Sequence, residues 1–279
     1  MQQRLLRIVL LLGMLLGPVA AAHAHPKAAR RYLKQLKKST QPNVSSAEAE
    51  RNAQNCFVNG VTALLLNKPQ QAYTALKRAL QLAPLNAAIH FKMAQLLQQY
   101  PQLVQENSVV VNALTHIYVA IALAPDNIFY YLNAVSMHTS QGNYRQATQV
   151  YEQMLQRIPP TDDLLSQLAN LYIAQKDYRQ AIRVYNQMEQ RSGINLMLVH
   201  QKQHTYLAMN DLDSAVEEGL KLIQAYPSIE VYVLRLVQLL MENYQGYRAI
   251  PYLQDDLAAH PGHAQSQGYL AYLLLEQQD

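Results

Sequence analysis

Histidines 200 and 204 stand four residues apart, the spacing that places two side chains on one face of a helix. Two imidazoles so placed could hold a transition metal, but such a site needs a third ligand and none lies nearby in sequence. Asp162-Asp163 and Asp255-Asp256 are adjacent acidic pairs. Neighbouring residues diverge around a helix, so neither pair forms a general acid and base. The first follows Pro159-Pro160-Thr161 and reads as helix N-terminal acids favoured by the dipole. Cys56 is the only cysteine, which excludes an intramolecular disulfide and suggests an inert buried thiol. There is no Gly-rich phosphate loop, His-Glu-x-x-His or Gly-x-Ser-x-Gly. The reading is therefore of a chain with no catalytic residues, no metal site and no cofactor, and the elements become the source of function.

Those elements are helices. Half of the 279 residues are hydrophobic, only 15% are charged, and Gly and Pro are sparse. Helix-ending residues recur at Pro84, Pro125, Pro159, Gly193, Pro227 and Pro261, the last four steps each being 34 residues and the first 41. Proline lacks the N–H that a helix interior requires, and glycine tolerates the positive φ of a helix end. Twelve residues before each stands an alanine: 72, 113, 147, 181, 215 and 249. Eight before stand Leu76, Ile117, Tyr151, Tyr185 and Leu253, with Gly219 the exception; Gly219 and Asp256 are expected to loosen the last units. Polar turns (Gly142-Asn143-Tyr144, Lys176-Asp177-Tyr178, Asn210-Asp211-Leu212, Gln245-Gly246-Tyr247) join the two helices of a unit. A fixed period near 34 marks stacked helix–turn–helix units.

The pattern resembles the tetratricopeptide repeat, most clearly in residues 162–195, where Leu165, Leu168, Ala169, Tyr172, Ala181, Tyr185 and Gly193 hold the signature places. Registered this way, units start near 53, 87, 128, 162, 196, 230 and 264, the last contributing one helix. The resemblance implies an all-α, right-handed superhelical solenoid of about six antiparallel helix pairs plus one helix. The family's tryptophan at the fourth place is missing; Cys56, His90, Tyr131, Leu165, Val199, Val233 and Gln267 stand there.

Residues 1–24 read as a secretory signal peptide: Arg4 and Arg7, an apolar run from Ile8 to Leu16, then small-x-small sites at Ala20-Ala21-Ala22 and Ala22-His23-Ala24. The expectation is an exported protein, soluble after cleavage, periplasmic or outer-membrane-associated. Residues 25–52 read as a basic helix and linker. Lys27, Arg30, Arg31, Lys34, Lys37 and Lys38 could touch anionic lipid or cell-wall polymer, with a solvated lead-in the expected arrangement. Eight of the 23 Lys and Arg fall in residues 4–38, so the remainder carries about 15 against 19 Asp and Glu. That mildly acidic body has no basic face for nucleic acid. Some seven extra residues around 100–107 fall between the helices of the second unit. The last helix, with Tyr269-Leu270-Ala271-Tyr272-Leu273-Leu274-Leu275, is apolar nearly all round, which suggests an array that continues or an end that docks.

In the family the first helices line a concave groove that holds partner segments. Carried over, the lining is Phe57 and Val61; Phe91 and Gln95; Phe129, Leu132 and Ser136; Asp163, Ser166 and Asn170; Met197, His200 and His204; Val231, Leu234 and Gln238. Members that clamp a C-terminal carboxylate use lysine at the leading places. Phe57 and Val61, or Phe91 and Gln95, stand there instead, which argues against such a clamp. The resemblance thus implies a non-enzymatic scaffold binding a protein or peptide segment. The alternatives are the periplasmic repeat portion of an exopolysaccharide export or outer-membrane assembly system, and the non-catalytic part of a longer enzyme.

Overall fold

The structure is a computed structural model that describes residues 24–39, 46–103 and 112–277. The residues expected to form the signal peptide lie outside it, apart from Ala24. Among the described residues there are fourteen α-helices, two short 3-10 turns and no strand. The chain divides into two compact units, Met1–Pro159 and Pro160–Asp279.

The first unit holds α1 (Ala24–Ser39), α2 (Ser46–Leu65), α3 (Pro69–Leu82), α4 (Ala87–Gln99), α5 (Ala113–Leu123), α6 (Ile128–Ser140) and α7 (Tyr144–Leu155). Each helix from α3 to α7 packs on the one before it. The core runs through Ala72, Leu76, Ala79, Met93, Leu96, Ile117, Ala120, Tyr131, Ala134, Ala147 and Tyr151, all nearly or fully buried. Among them are alanines at the marker position, where a small side chain lets the paired helix approach; Ala113, at the start of α5, is half-buried. Gly60 on α2 serves the same end. A Cβ there would meet Leu76 Cγ at 2.8 Å and Cδ2 at 2.9 Å. Cys56 is half-buried rather than enclosed, resting on the edge of the cluster around Leu76 and Met93. The extra residues of the second unit do fall between its helices: α4 ends at Gln99, a 3-10 turn occupies Pro101–Leu103, and α5 begins at Ala113.

Two expectations for the N-terminal segment change. Residues 46–52 are helical, part of α2, not linker. Helix α1 is not a solvated lead-in: it packs against α5, burying Ala29 and half-burying Tyr32. The Tyr32 ring meets His90 and His116 edge-on, with centroids 6.2 and 6.1 Å away. Those histidines form a buried pair, Nδ1 to Nδ1 at 2.8 Å, and His90 Nε2 lies 2.9 Å from the Pro84 carbonyl. With both rings neutral, His90 donates through Nε2, so its Nδ1 accepts the His116 Nδ1 proton. Burial lowers both pKa values, that of His116 to about 3 with the charge of His90 as second cause. The six basic residues of α1 stay exposed around this apolar contact.

The second unit holds α8 (Asp162–Ala174), α9 (Tyr178–Ser192), α10 (Leu196–Leu207), α11 (Leu212–Ala225), α12 (Glu230–Glu242), α13 (Ile250–Ala259, after a 3-10 turn at Gly246–Ala249) and α14 (Ala264–Glu276). Side chains of Thr161, Asp177, Asn195 and Asp211 cap α8 to α11 by accepting a backbone N–H. The hairpin turns share one backbone device. Gly142 in the first unit and Lys176, Asn210 and Tyr244 in the second have φ of 72°, 59°, 57° and 59°. This left-handed residue returns every 34 positions and reverses the chain. In the last hairpin it is Tyr244, not the Gln245-Gly246-Tyr247 segment. Pro251 near the start of α13 has no N–H to give to an earlier turn, so Gly246–Ala249 takes a 3-10 form first.

The departures at Gly219 and Asp256 do not loosen this unit. A Cβ at Gly219 would stand 3.0 Å from Gln203 Nε2 and 3.2 Å from Leu236 Cδ1, so glycine permits a close approach. Asp256 is buried and accepts a hydrogen bond from Ser266 Oγ at 2.7 Å. Lys202, wholly buried on α10, is a feature that the periodicity does not announce. Its Nζ lies 2.6 Å from both Glu189 on α9 and Glu218 on α11, and Lys221 meets Glu218 at 2.8 Å. One ammonium therefore ties three successive helices.

The fourth-place residues also acquire a role. His90 Nε2 and Tyr131 Oη bond the carbonyls of Pro84 and Pro125, and Gln267 Nε2 bonds that of Pro261, each six residues upstream. A polar side chain at this place satisfies the carbonyl of the helix-ending proline, while Leu165, Val199 and Val233 simply fill core.

Candidate protein-binding groove

In the second unit the expected lining residues converge. His200 and His204 on α10 meet edge-to-face, with ring centroids 4.3 Å apart and Nε2 atoms 3.0 Å apart. They border two adjoining clefts. One, of about 210 Å³, continues over Gly219 and Leu222 to Tyr232, Arg235, Leu236, Gln238 and Glu242 on α12. The other, of about 250 Å³, reaches back to Asn170 and Ile173 on α8. Asn170, His200, His204 and Gln238 thus lie along one strip crossing α8, α10 and α12, the first helices of three successive hairpins. Gly219 deepens the strip because no side chain projects there. Gln238 donates to Glu242 at 2.8 Å. Burial, His204 and Arg235 together lower the His200 pKa, in that order of size, so it is neutral near pH 7. Met197 is exposed, as is Asp163; Ser166 and Leu234 are half-buried, the Ser166 hydroxyl turned to the Met188 sulfur at 4.0 Å.

In the first unit the candidates divide. Phe129 is 68% exposed on α6 and Ser136 is exposed on the same helix. Phe91 is half-buried and packs against Tyr130 with centroids 4.8 Å apart and the rings tilted by 37°, so part of it is core. Lys92 lies over the Phe91 ring at 5.7 Å and donates to Gln95 at 2.9 Å. Phe57, Val61 and Leu132 are half-buried, and Val231 in the second unit is exposed. Gln95 opens onto a wide depression of about 560 Å³ shared with Leu64, Leu65, Gln98, Gln99 and Asn133. Asn133 Oδ1 is shielded from solvent and has no hydrogen-bond partner. A buried carbonyl oxygen without a donor is costly, so a turn of the Asn133 amide toward the depression would be favoured where a donor is offered there. The family register pointed to Leu132, one residue before. The useful signal was an amide side chain in an otherwise apolar stretch of α6.

Residues 138–192 match the model of the tetratricopeptide repeat. That stretch of the chain carries a tetratricopeptide repeat. Among solved structures it is similar to a chain of the Naa15/Naa10 complex bound to a HypK fragment, at 14% identity and a TM-score of 0.53. That match covers 81% of this chain and 34% of the other, so this chain spans about a third of that relative. It is also similar to the MamA protein, at 14% identity and a TM-score of 0.46, covering 62% of this chain and 91% of that one. The YrrB tetratricopeptide repeat protein, described as having an unusual peptide-binding site, matches at 16% identity and a TM-score of 0.40, over 70% and 96%. No curated protein matches the sequence.

Proposed function

We propose that this protein is a non-enzymatic scaffold of the cell envelope that holds an extended segment of a partner protein against the first helices of its hairpins. The observation that carries the reading is the amide-rich depression that Asn133 lines together with Gln95, Gln98 and Gln99. Amides on a firm helical surface suit peptide N–H and C=O groups, and exposed Phe129 offers apolar contact to a side chain. The strip through Asn170, His200, His204 and Gln238 has the same character. A chain of this fold occurs in the structure of Naa15/Naa10 bound to HypK-THB. The envelope assignment rests on residues 1–24 as an export leader. No described helix is long and apolar enough to cross a membrane. The basic face of α1 would then contact anionic lipid or wall polymer.

A photo-crosslinking amino acid at Phe129 or His204 tests the reading in cells. It should trap one discrete protein, while the same probe at Arg183, exposed on the second helix of its hairpin, should not. Equal trapping from both faces would refute the groove. Mass spectrometry of the mature chain should find an N-terminus near Ala22 or Ala24; a retained Met1 in cytosolic fractions would refute export.

A further inference from the structure

Where α13 passes into α14, three side chains with metal-binding atoms face one another: Asp256 on α13, His260 at its C-cap and His263 at the N-cap of α14. One ligand atom from each lies within 4.8 Å of the others. His263 Nδ1 stands 3.0 Å from both Asp256 oxygens, and His260 Nδ1 stands 3.5 Å from Oδ1. A tetrahedral ion with ligands at about 2.0–2.1 Å keeps neighbouring donors roughly 3.3 Å apart. The carboxylate-to-imidazole distances are therefore close to those of a coordination shell, and the two imidazole donors lie within 4.8 Å of each other.

A simple ion pair accounts for only part of this arrangement. His263 can donate to Asp256, and Ser266 Oγ donates to Oδ2 at 2.7 Å. His260 Nδ1 is buried and has no hydrogen-bond partner, although it points at the same carboxylate. With its proton on Nε2, His260 sets an Nδ1 lone pair against the carboxylate, which is repulsive, whereas an ion between the two would satisfy both. We propose that Asp256, His260 and His263 bind a divalent late transition-metal ion, zinc by the chemistry of two imidazoles and one carboxylate, with water completing the shell.

The surroundings suit such an ion. Ser266, fully buried, holds the carboxylate by its hydroxyl, and its backbone N–H donates to Glu230 Oε1 at 2.9 Å. A cleft of about 210 Å³ lined by Tyr252, Ala259 and Leu220 reaches Asp256 and His260 from solvent. The imidazoles stack nearly parallel, 15° apart with centroids at 4.8 Å. Closure requires them to turn about the soft Cβ–Cγ torsion until both lone pairs converge. The bound ion would fasten α14, whose outer face carries exposed Tyr269, Tyr272 and Leu275, to α13.

Untagged protein stripped with a chelator and titrated with zinc sulfate by calorimetry tests the proposal. One equivalent should bind in the micromolar range or tighter, and melting should rise by about 5–10 °C at a hundredfold excess over Kd. His260→Gln and His263→Gln should each weaken binding at least tenfold, and Ser266→Ala about tenfold. His200→Gln with His204→Gln, which removes the other histidine pair, should leave it unchanged. Circular dichroism confirms that each variant is folded. Absence of saturable binding, or zinc binding that survives His260→Gln and His263→Gln or follows His200 and His204 instead, would overturn the site.

Discussion

Replacing Lys202 by methionine removes an ammonium and keeps an unbranched stem of similar length, so the space it fills stays filled. The side chain is fully buried, and both of its carboxylate partners stand at 2.6 Å. Breaking a buried ion pair costs about 3–5 kcal/mol, because the partner charge is left in a poorly solvated place. Here the two partners fare differently. Glu189 has 23% of its side chain exposed and can turn to water, whereas Glu218 has 4% and cannot. Glu218 keeps Lys221, half-exposed at 2.8 Å, which recovers part of the loss. The expected cost is therefore about 3 kcal/mol, the lower end of the range. Urea unfolding followed by far-ultraviolet circular dichroism measures it. Adding Glu218→Gln removes the stranded charge and should recover at least about 1 kcal/mol. A loss below about 1 kcal/mol in Lys202→Met, or a double variant no more stable than the single one, would refute the reasoning.

Two further outcomes follow from the packing and the buried imidazoles. Ala147→Leu and Ala181→Leu insert three carbons at fully buried positions and should each destabilise by about 1–3 kcal/mol, read as a lower melting temperature. The His116 pKa falls from 6.5 to about 3 on folding, so between those values the unfolded chain binds a proton that the folded chain refuses. Stability should be intact above pH 6.5 and decline as pH drops below it, by up to about 1.4 kcal/mol per unit. His116→Phe should flatten that decline in urea titrations at pH 7.5, 5.5 and 4.5, and an unchanged slope would contradict the buried pair.

The helical hairpins were legible because their markers are local. A proline that cannot continue a helix, an alanine that admits a neighbour and a left-handed turn residue recur in register, and each acts within about a dozen residues. The register alone decides exposure at Phe129, His200, His204 and Gln238, all of which face solvent. At Phe91 the register decides less, because its contact with Tyr130 depends on how two first helices meet. Lys202 was hidden for the opposite reason: its partners are 13 and 16 residues away on two other helices, so the sequence reads as an ordinary polar helix. Asp256, His260 and His263 escaped notice because the chain turns between the histidines, which defeats a search for helical spacing. The docking of α1 depends on Ala29 and Tyr32 amid six basic residues, where charge obscures a narrow apolar stripe.

The central claim, that amide-lined first helices hold a partner segment, is tested most directly by calorimetric titration with a peptide selected from a random library on the whole protein. Asn133→Ala should weaken that peptide severalfold if it lies in the first unit, and Asn170→Ala with His204→Ala should do so if it lies in the second. Arg183→Ala should change nothing. Undiminished affinity in both groove variants, or a loss confined to Arg183→Ala, would contradict the account.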